Sequence, residues 1–108
     1  MSLDLPPAIA AYFAADKIDG GAVAACFTEA AIVKDEHHTY SGRAAIAAWK
    51  KEASAKYRYT SEPIAIGHEN GKTIVTCRLV GNFPGSPVDL RYFFVLEGDK
   101  IAALEIAP

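Results

Sequence analysis

An α+β domain is predicted from two features of the chain. Apolar residues recur at helical spacing through the first half, and from about residue 57 onward they alternate between turns rich in Gly, Pro and Asn. With helices first and strands afterwards, the helices are expected to pack on one face of a mostly antiparallel sheet. The 108 residues, 51% hydrophobic and 22% charged, suit one domain spanning 1–108.

The first element reads as a helix. Asp4 is placed to cap it, Pro6 and Pro7 suit its first turn, and Leu5, Ile9, Tyr12 and Phe13 fall on one face. Asp19-Gly20-Gly21 breaks it, and a short alanine-rich helix carrying Val23, Cys26 and Phe27 completes an antiparallel hairpin. Ala31 to Lys34 reads as a brief strand and Glu36 to Ser41 as a loop. Gly42 to about Lys56 reads as a third helix, on which Ile46, Trp49 and Ala53 return at helical spacing. Tyr57 to His68 begins the β half, bending or bulging at Pro63, and Glu69-Asn70-Gly71 is a hairpin turn into a strand from Lys72 to Phe83. Pro84-Gly85-Ser86-Pro87 turns the chain, Val88 to Leu96 is the next strand, and Glu97-Gly98-Asp99-Lys100 leads into a last strand ending at Pro108. Three helices on a curved sheet leave a cone-shaped cavity between the two layers.

Charge and motifs exclude several function classes. The net charge is −2, and the 11 Lys and Arg are scattered rather than clustered, so nucleic acid is not an expected partner. No apolar run approaches the roughly 20 residues of a membrane span, and Asp4 with two prolines stands where a secretory leader would be basic and apolar, so a cytoplasmic location is expected. Cys26 and Cys77 lack metal-site spacing and read as two buried thiols, a disulfide between them being the alternative. His37, His38 and His68 lack the helical spacing of a zinc site, so no metal is expected. There is no nucleophile elbow, no GxGxxG and no GxxxxGK[ST]. Any chemistry is therefore expected to be cofactor-free acid–base work.

One run carries the chemistry. Phe27-Thr-Glu-Ala-Ala-Ile-Val-Lys-Asp35 delivers a lone acid to the rim of the core, and the chain continues through a polar loop and Ser41-Gly42 into the helix bearing Trp49. An acid at the mouth of an apolar pocket is a candidate general base, because desolvation raises its pKa. The alternative is a solvated strand-end acid paired with Lys34 or Arg43.

The element order, the length and the Phe27–Trp49 run resemble the nuclear transport factor 2-like superfamily, which includes SnoaL-like polyketide cyclases and ketosteroid isomerase. The resemblance covers nearly the whole chain and implies a cystatin-like, cone-shaped α+β barrel. Set beside ketosteroid isomerase, Asp35 occupies the position of the proton-moving base. Tyr12 falls opposite the tyrosine that donates to the developing oxyanion, the alternative being a core aromatic with a locally satisfied hydroxyl. The isomerase's third group, a protonated acid on a later strand, is matched here by Val88, with Asp89 expected on the opposite face.

Other residues complete the expected pocket. At most one of His37 and His38 should face the cavity, and His38 is the candidate to assist proton transfer. Trp49, Tyr57, Tyr59, Phe83 and Tyr92 are candidate binding aromatics for a small apolar molecule, or else core. Asp89 and Arg91 share a strand face. They read either as an exposed ion pair on the convex side or as a water-activating arrangement like that of limonene-epoxide hydrolase. Asp89, Arg91, Phe93 and Val95 would project together as a homodimer contact. Two functional readings stand: a SnoaL-like isomerase, cyclase, dehydratase or hydrolase, or a non-catalytic binding or dimerisation module of the same fold.

Overall fold

The computed structural model describes residues 4–56 and 58–108, so Tyr57 lies outside the described residues. Helix α1 spans Pro7–Asp16 and α2 spans Gly20–Ala24. Pro6, not Asp4, occupies the cap position of α1, because a proline needs no amide partner there and the Pro6 carbonyl accepts from Ile9 and Ala10. The Asp19 side chain accepts from the Ala22 amide at 2.8 Å and so starts α2 immediately after the break.

Strand β1, Phe27–Asp35, is longer than the sequence suggests, and Phe27 begins it instead of ending α2. Strand β2, His38–Ser41, replaces the expected loop and pairs back on β1 with Asp35 opposite His38. The turn between them places Glu36 and His37 at φ 50 and 66, which is left-handed backbone. Such turns normally advertise themselves with Asn or Gly, and Glu-His carries no such signal. Helix α3, Arg43–Lys56, follows Gly42, whose φ of 85 makes the stop before the helix.

Strands β3 (Tyr59–Glu69), β4 (Lys72–Gly81), β5 (Val88–Glu97) and β6 (Lys100–Ala107) complete the sheet. Asn70 and Gly71 form the expected β3–β4 turn with positive φ. The six strands run in the order β2-β1-β6-β5-β4-β3, antiparallel throughout except for β1 beside β6. Register shifts at Pro63/Ala65, at Val95/Leu96 and between Phe27 and Ile32 break three ladders, and such bulges bend and coil a sheet.

The core lies between the concave face and the helices. Ile46 and Trp49 of α3 are buried there with Val33, Val75, Tyr92, Phe94 and Leu104. Tyr12 is fully buried, its ring 5.1–6.4 Å from those of Phe13, Phe27, Tyr92 and Phe94. Residues on the other face of β5 pair outward: Asp89 binds Arg78 across the strands at 3.0 and 3.3 Å, and Arg91 donates to the Pro108 carbonyl. The expected Asp89–Arg91 pair is thus an Asp89–Arg78 pair on the convex face, because a directly opposed cross-strand neighbour is closer than a residue two along. No described helix is long and apolar enough to cross a membrane.

Candidate functional site

The sheet, α3 and the Asn82–Pro87 turn enclose a cavity of about 410 Å³. The alternation of β5 sends Val88, Leu90 and Tyr92 into it, β6 adds Ile106, and β4 adds Leu79. Trp49 and Lys50 enter from α3, Tyr59 from the start of β3, and Phe83 from the turn. Four of the five binding aromatics read from the sequence, Trp49, Tyr59, Phe83 and Tyr92, therefore line one space. The fifth, Tyr57, is outside the described residues.

Asp35 reaches this cavity because β1 alternates Val33 and Asp35 onto the concave face and ends there. It is half-buried, and Trp49 Nε1 donates to its Oδ2 at 3.0 Å. Burial raises the pKa of the carboxyl above the ordinary aspartate value. The Trp49 hydrogen bond and the Lys50 charge oppose that rise, while Glu36 adds to it. The pairing with Lys34 or Arg43 does not occur: Arg43 donates through Nε to the Phe27 carbonyl at 2.8 Å.

Lys50, 3% exposed, is the group that sequence reasoning missed. Its ammonium lies 2.8 Å from Asp16 Oδ1 and donates to the Tyr59 hydroxyl at 3.1 Å. It also sits 4.8 Å from the Trp49 ring centroid and 5.7 Å from those of Tyr12 and Tyr59. Burial works against its charge, but the Asp16 carboxylate and Tyr59 outweigh it and hold the pKa above the ordinary lysine value, so the group is cationic. A signal existed: residue 50 lies one helical turn beyond Ile46, on the face carrying Trp49 and Ala53. A lysine on an apolar helix face implies a buried acid elsewhere, here at the end of α1.

Tyr12 does not share the cavity with Asp35. It is absent from the lining, and its hydroxyl is buried with no hydrogen-bond partner among the described residues. The aromatic cluster around its ring holds it in the core, and burial pushes its pKa well above the ordinary tyrosine value. Val88 does line the cavity at the position matched to the isomerase's protonated acid, and Asp89 points away as expected. His38 lies opposite Asp35, and both His37 and His38 line a second, outer hollow of about 660 Å³ that Asp35 also borders. Neither His37 nor His38 lines the cavity that holds Trp49 and Tyr92, and His37 sits in the turn rather than on an extended segment. His68 is exposed beside Thr73, and Cys26 and Cys77 are free thiols, Cys77 buried and Cys26 half-buried. No cluster of three potential metal ligands occurs among the described residues.

Comparison with solved structures identifies the class. A candidate polyketide cyclase from Sinorhizobium meliloti is 37% identical over 98% of both chains, with a TM-score of 0.90. A second candidate polyketide cyclase, from Pseudomonas putida, is 20% identical over 99% of this chain and 92% of its own, with a TM-score of 0.75. A protein of ketosteroid isomerase-like fold from Catenulispora acidiphila, solved with trimethylamine, is 17% identical over 97% of this chain and 87% of its own, with a TM-score of 0.84. No protein-family model and no curated protein matches the chain. The chain belongs to the NTF2-like/SnoaL-like superfamily.

Proposed function

We propose that the protein is a cofactor-free acid–base enzyme that isomerises, cyclises or dehydrates a small, largely apolar molecule, with Asp35 as general base. The observation that carries this reading is a half-buried carboxylate at the wall of a largely aromatic and aliphatic cavity, held by the Trp49 indole hydrogen bond. A base whose pKa is raised by burial accepts a carbon-bound proton more readily than a solvated aspartate does. Trp49 holds the carboxylate by its Oδ2 and so fixes its rotamer. His38, on the outer side of Asp35, can return the proton to solvent.

The similarity to a candidate polyketide cyclase supports the same chemistry, since closing a ring between carbonyl-bearing carbons begins with removal of a carbon-bound proton. One probe tests the reading. 2-Tetralone, a bicyclic ketone with acidic C–H bonds beside its carbonyl, is incubated in D₂O and exchange at those positions is followed by proton NMR. Protein-dependent exchange that disappears in Asp35→Asn supports the base. Exchange equal in wild type and Asp35→Asn rejects it.

A second reading, a non-catalytic binding module, is favoured by one feature: the matched oxyanion tyrosine, Tyr12, and the matched acid, Val88, supply no donor to the cavity. In either reading the molecule works as a homodimer through the convex face of β5, where Phe93 and Val95 stand between polar neighbours.

A further inference from the structure

We propose that the Lys50 ammonium is the oxyanion-holding group of this cavity, and that the substrate is accordingly a small enolisable carbonyl compound whose oxygen docks on Lys50 while Asp35 faces the adjacent C–H bond. The proposal rests on the reading of Asp35 as base and supplies the electrophilic partner which that reading lacks.

Four observations converge. Lys50 is buried to 3% exposure yet lines the cavity. An ammonium carries three donors, and among the described residues two are engaged, by Asp16 at 2.8 Å and by the Tyr59 hydroxyl at 3.1 Å. Asp16 balances the charge. That leaves one polarised N–H for a cavity ligand, suited to a carbonyl oxygen on which negative charge develops. The rings of Tyr12, Trp49 and Tyr59 wall the ammonium from water, which strengthens a charge-assisted hydrogen bond. Finally, Trp49 and Lys50 are consecutive on α3, and the first holds Asp35, so one helical turn sets the spacing of base and electrophile.

The remaining wall selects the rest of the molecule. Leu79, Leu90 and Ile106 offer no polar partner, and about 410 Å³ accommodates a body of one to two fused rings. In the step so arranged, the Asp35 carboxylate removes the proton beside the carbonyl, and the C–H electron pair becomes a C=C bond. The carbonyl π pair moves to oxygen, where the Lys50 N–H receives it. Return of the proton from Asp35 to the same or a conjugated carbon restores the carboxylate, and no oxidant or reductant is consumed. The ionisable groups facing Lys50 are Asp16 and Tyr12 from α1, Tyr59 from β3 and Asp35 from β1.

The test uses 4-nitrophenol, whose phenolate is yellow and mimics an enolate oxygen on a small ring. Absorbance titration of the bound probe reads its ionisation midpoint directly. In wild type the bound midpoint is expected at least about one pH unit below the free value, a tenfold gain in acidity. Asp35→Asn should keep that drop, and Lys50→Met should abolish it. Because Lys50→Met leaves Asp16 buried without its cation, the double variant Asp16→Asn/Lys50→Met is the folding control, and it too should lack the drop. No binding by wild type at about 10 mM probe, an unshifted midpoint in wild type, or a drop that persists in both Lys50 variants would each overturn the assignment. A drop in wild type combined with no exchange of 2-tetralone would reject Asp35 as base while leaving Lys50 as the oxygen-binding group.

Discussion

Trp49 Nε1 and Asp35 Oδ2 lie 3.0 Å apart, and this hydrogen bond joins the end of β1 to the middle of α3 across the mouth of the cavity. It stabilises the ionised carboxylate that burial destabilises, so the site holds two opposed influences on one proton. Trp49→Phe removes the donor and leaves the burial, and the Asp35 midpoint should move further up in an NMR titration. Loss of a hydrogen bond to a charged acceptor should also cost about 1.5–3 kcal/mol at neutral pH. A smaller loss in acid than at neutral pH, by urea denaturation, would confirm that the bond favours the ionised form.

Asp35 itself carries a stability cost. A folded-state pKa raised above the unfolded value means that the native state holds the proton more tightly, so the contribution of Asp35 is most favourable below the unfolded pKa and is lost as pH rises through the folded one. Asp35→Asn keeps an acceptor for Trp49 and removes the charge. It should stabilise the fold by about 0.5–2 kcal/mol at pH 7, and by less at low pH, while eliminating proton transfer. Parallel urea titrations of the two proteins at pH 3 and pH 7 check both the sign and the pH dependence.

Lys50 gives the opposite case. Its folded-state pKa is raised, so its ion pair contributes fully below the unfolded lysine value of about 10.4 and is lost as pH climbs through the folded value. The side chains of Lys50 and Asp16 are only 4% and 9% exposed. Lys50→Met should therefore cost about 3–5 kcal/mol by stranding a buried carboxylate, and Asp16→Asn/Lys50→Met should recover most of that loss. A single variant no worse than the double would show that Asp16 finds water instead.

The order of elements, the β3–β4 turn and the bulge at Pro63 were legible in the sequence, because apolar periodicity and Asn-Gly or Pro punctuation are local signals. β2 was not legible, since the turn that makes it uses Glu36 and His37 in left-handed backbone without glycine. The site divides the same way. Asp35 at a strand end and the aromatics follow from alternation, whereas the Asp16–Lys50 pair joins residues on separate helices and the burial of Tyr12 depends on rings from two other elements, β1 and β5. Long-range juxtaposition leaves only an indirect trace: a lysine where an apolar residue would fit.

Gly20 illustrates how packing can reverse a helix propensity. A Cβ there would lie 2.6 Å from the Ala47 carbonyl oxygen and 3.2 Å from the Lys51 amide nitrogen, both backbone atoms of α3. Gly→Ala in a helix is ordinarily favourable by about 0.5–1 kcal/mol, but two backbones cannot yield as a side-chain tip can. Gly20→Ala should destabilise by about 1–3 kcal/mol, read as a lowered urea midpoint. Gly21→Ala, whose nearest contact is the Asp19 side chain at 3.4 Å, should be far milder.

The convex face of the sheet supplies the last expectation. Ile32 is 40% exposed, and the register places it beside Ala103, Ala103 beside Val95, and Phe93 beside Ile74, which makes a continuous apolar strip across β1, β6, β5 and β4. Arg91 stands over the Phe93 ring at 5.4 Å, and Glu105 pairs with Phe93 in the ladder, so charges of both signs flank the strip. An apolar centre with mixed charges at its margin suits a two-fold contact, in which the Arg91 of one copy can meet the Glu105 of the other. Sedimentation at micromolar concentration should give twice the 11.5 kDa chain mass. Phe93→Glu should shift the population to monomer, because it places a carboxylate at the centre of the buried area without a partner. A wild-type protein that sediments as 11.5 kDa, or a Phe93→Glu variant that remains dimeric, would exclude this face as the contact.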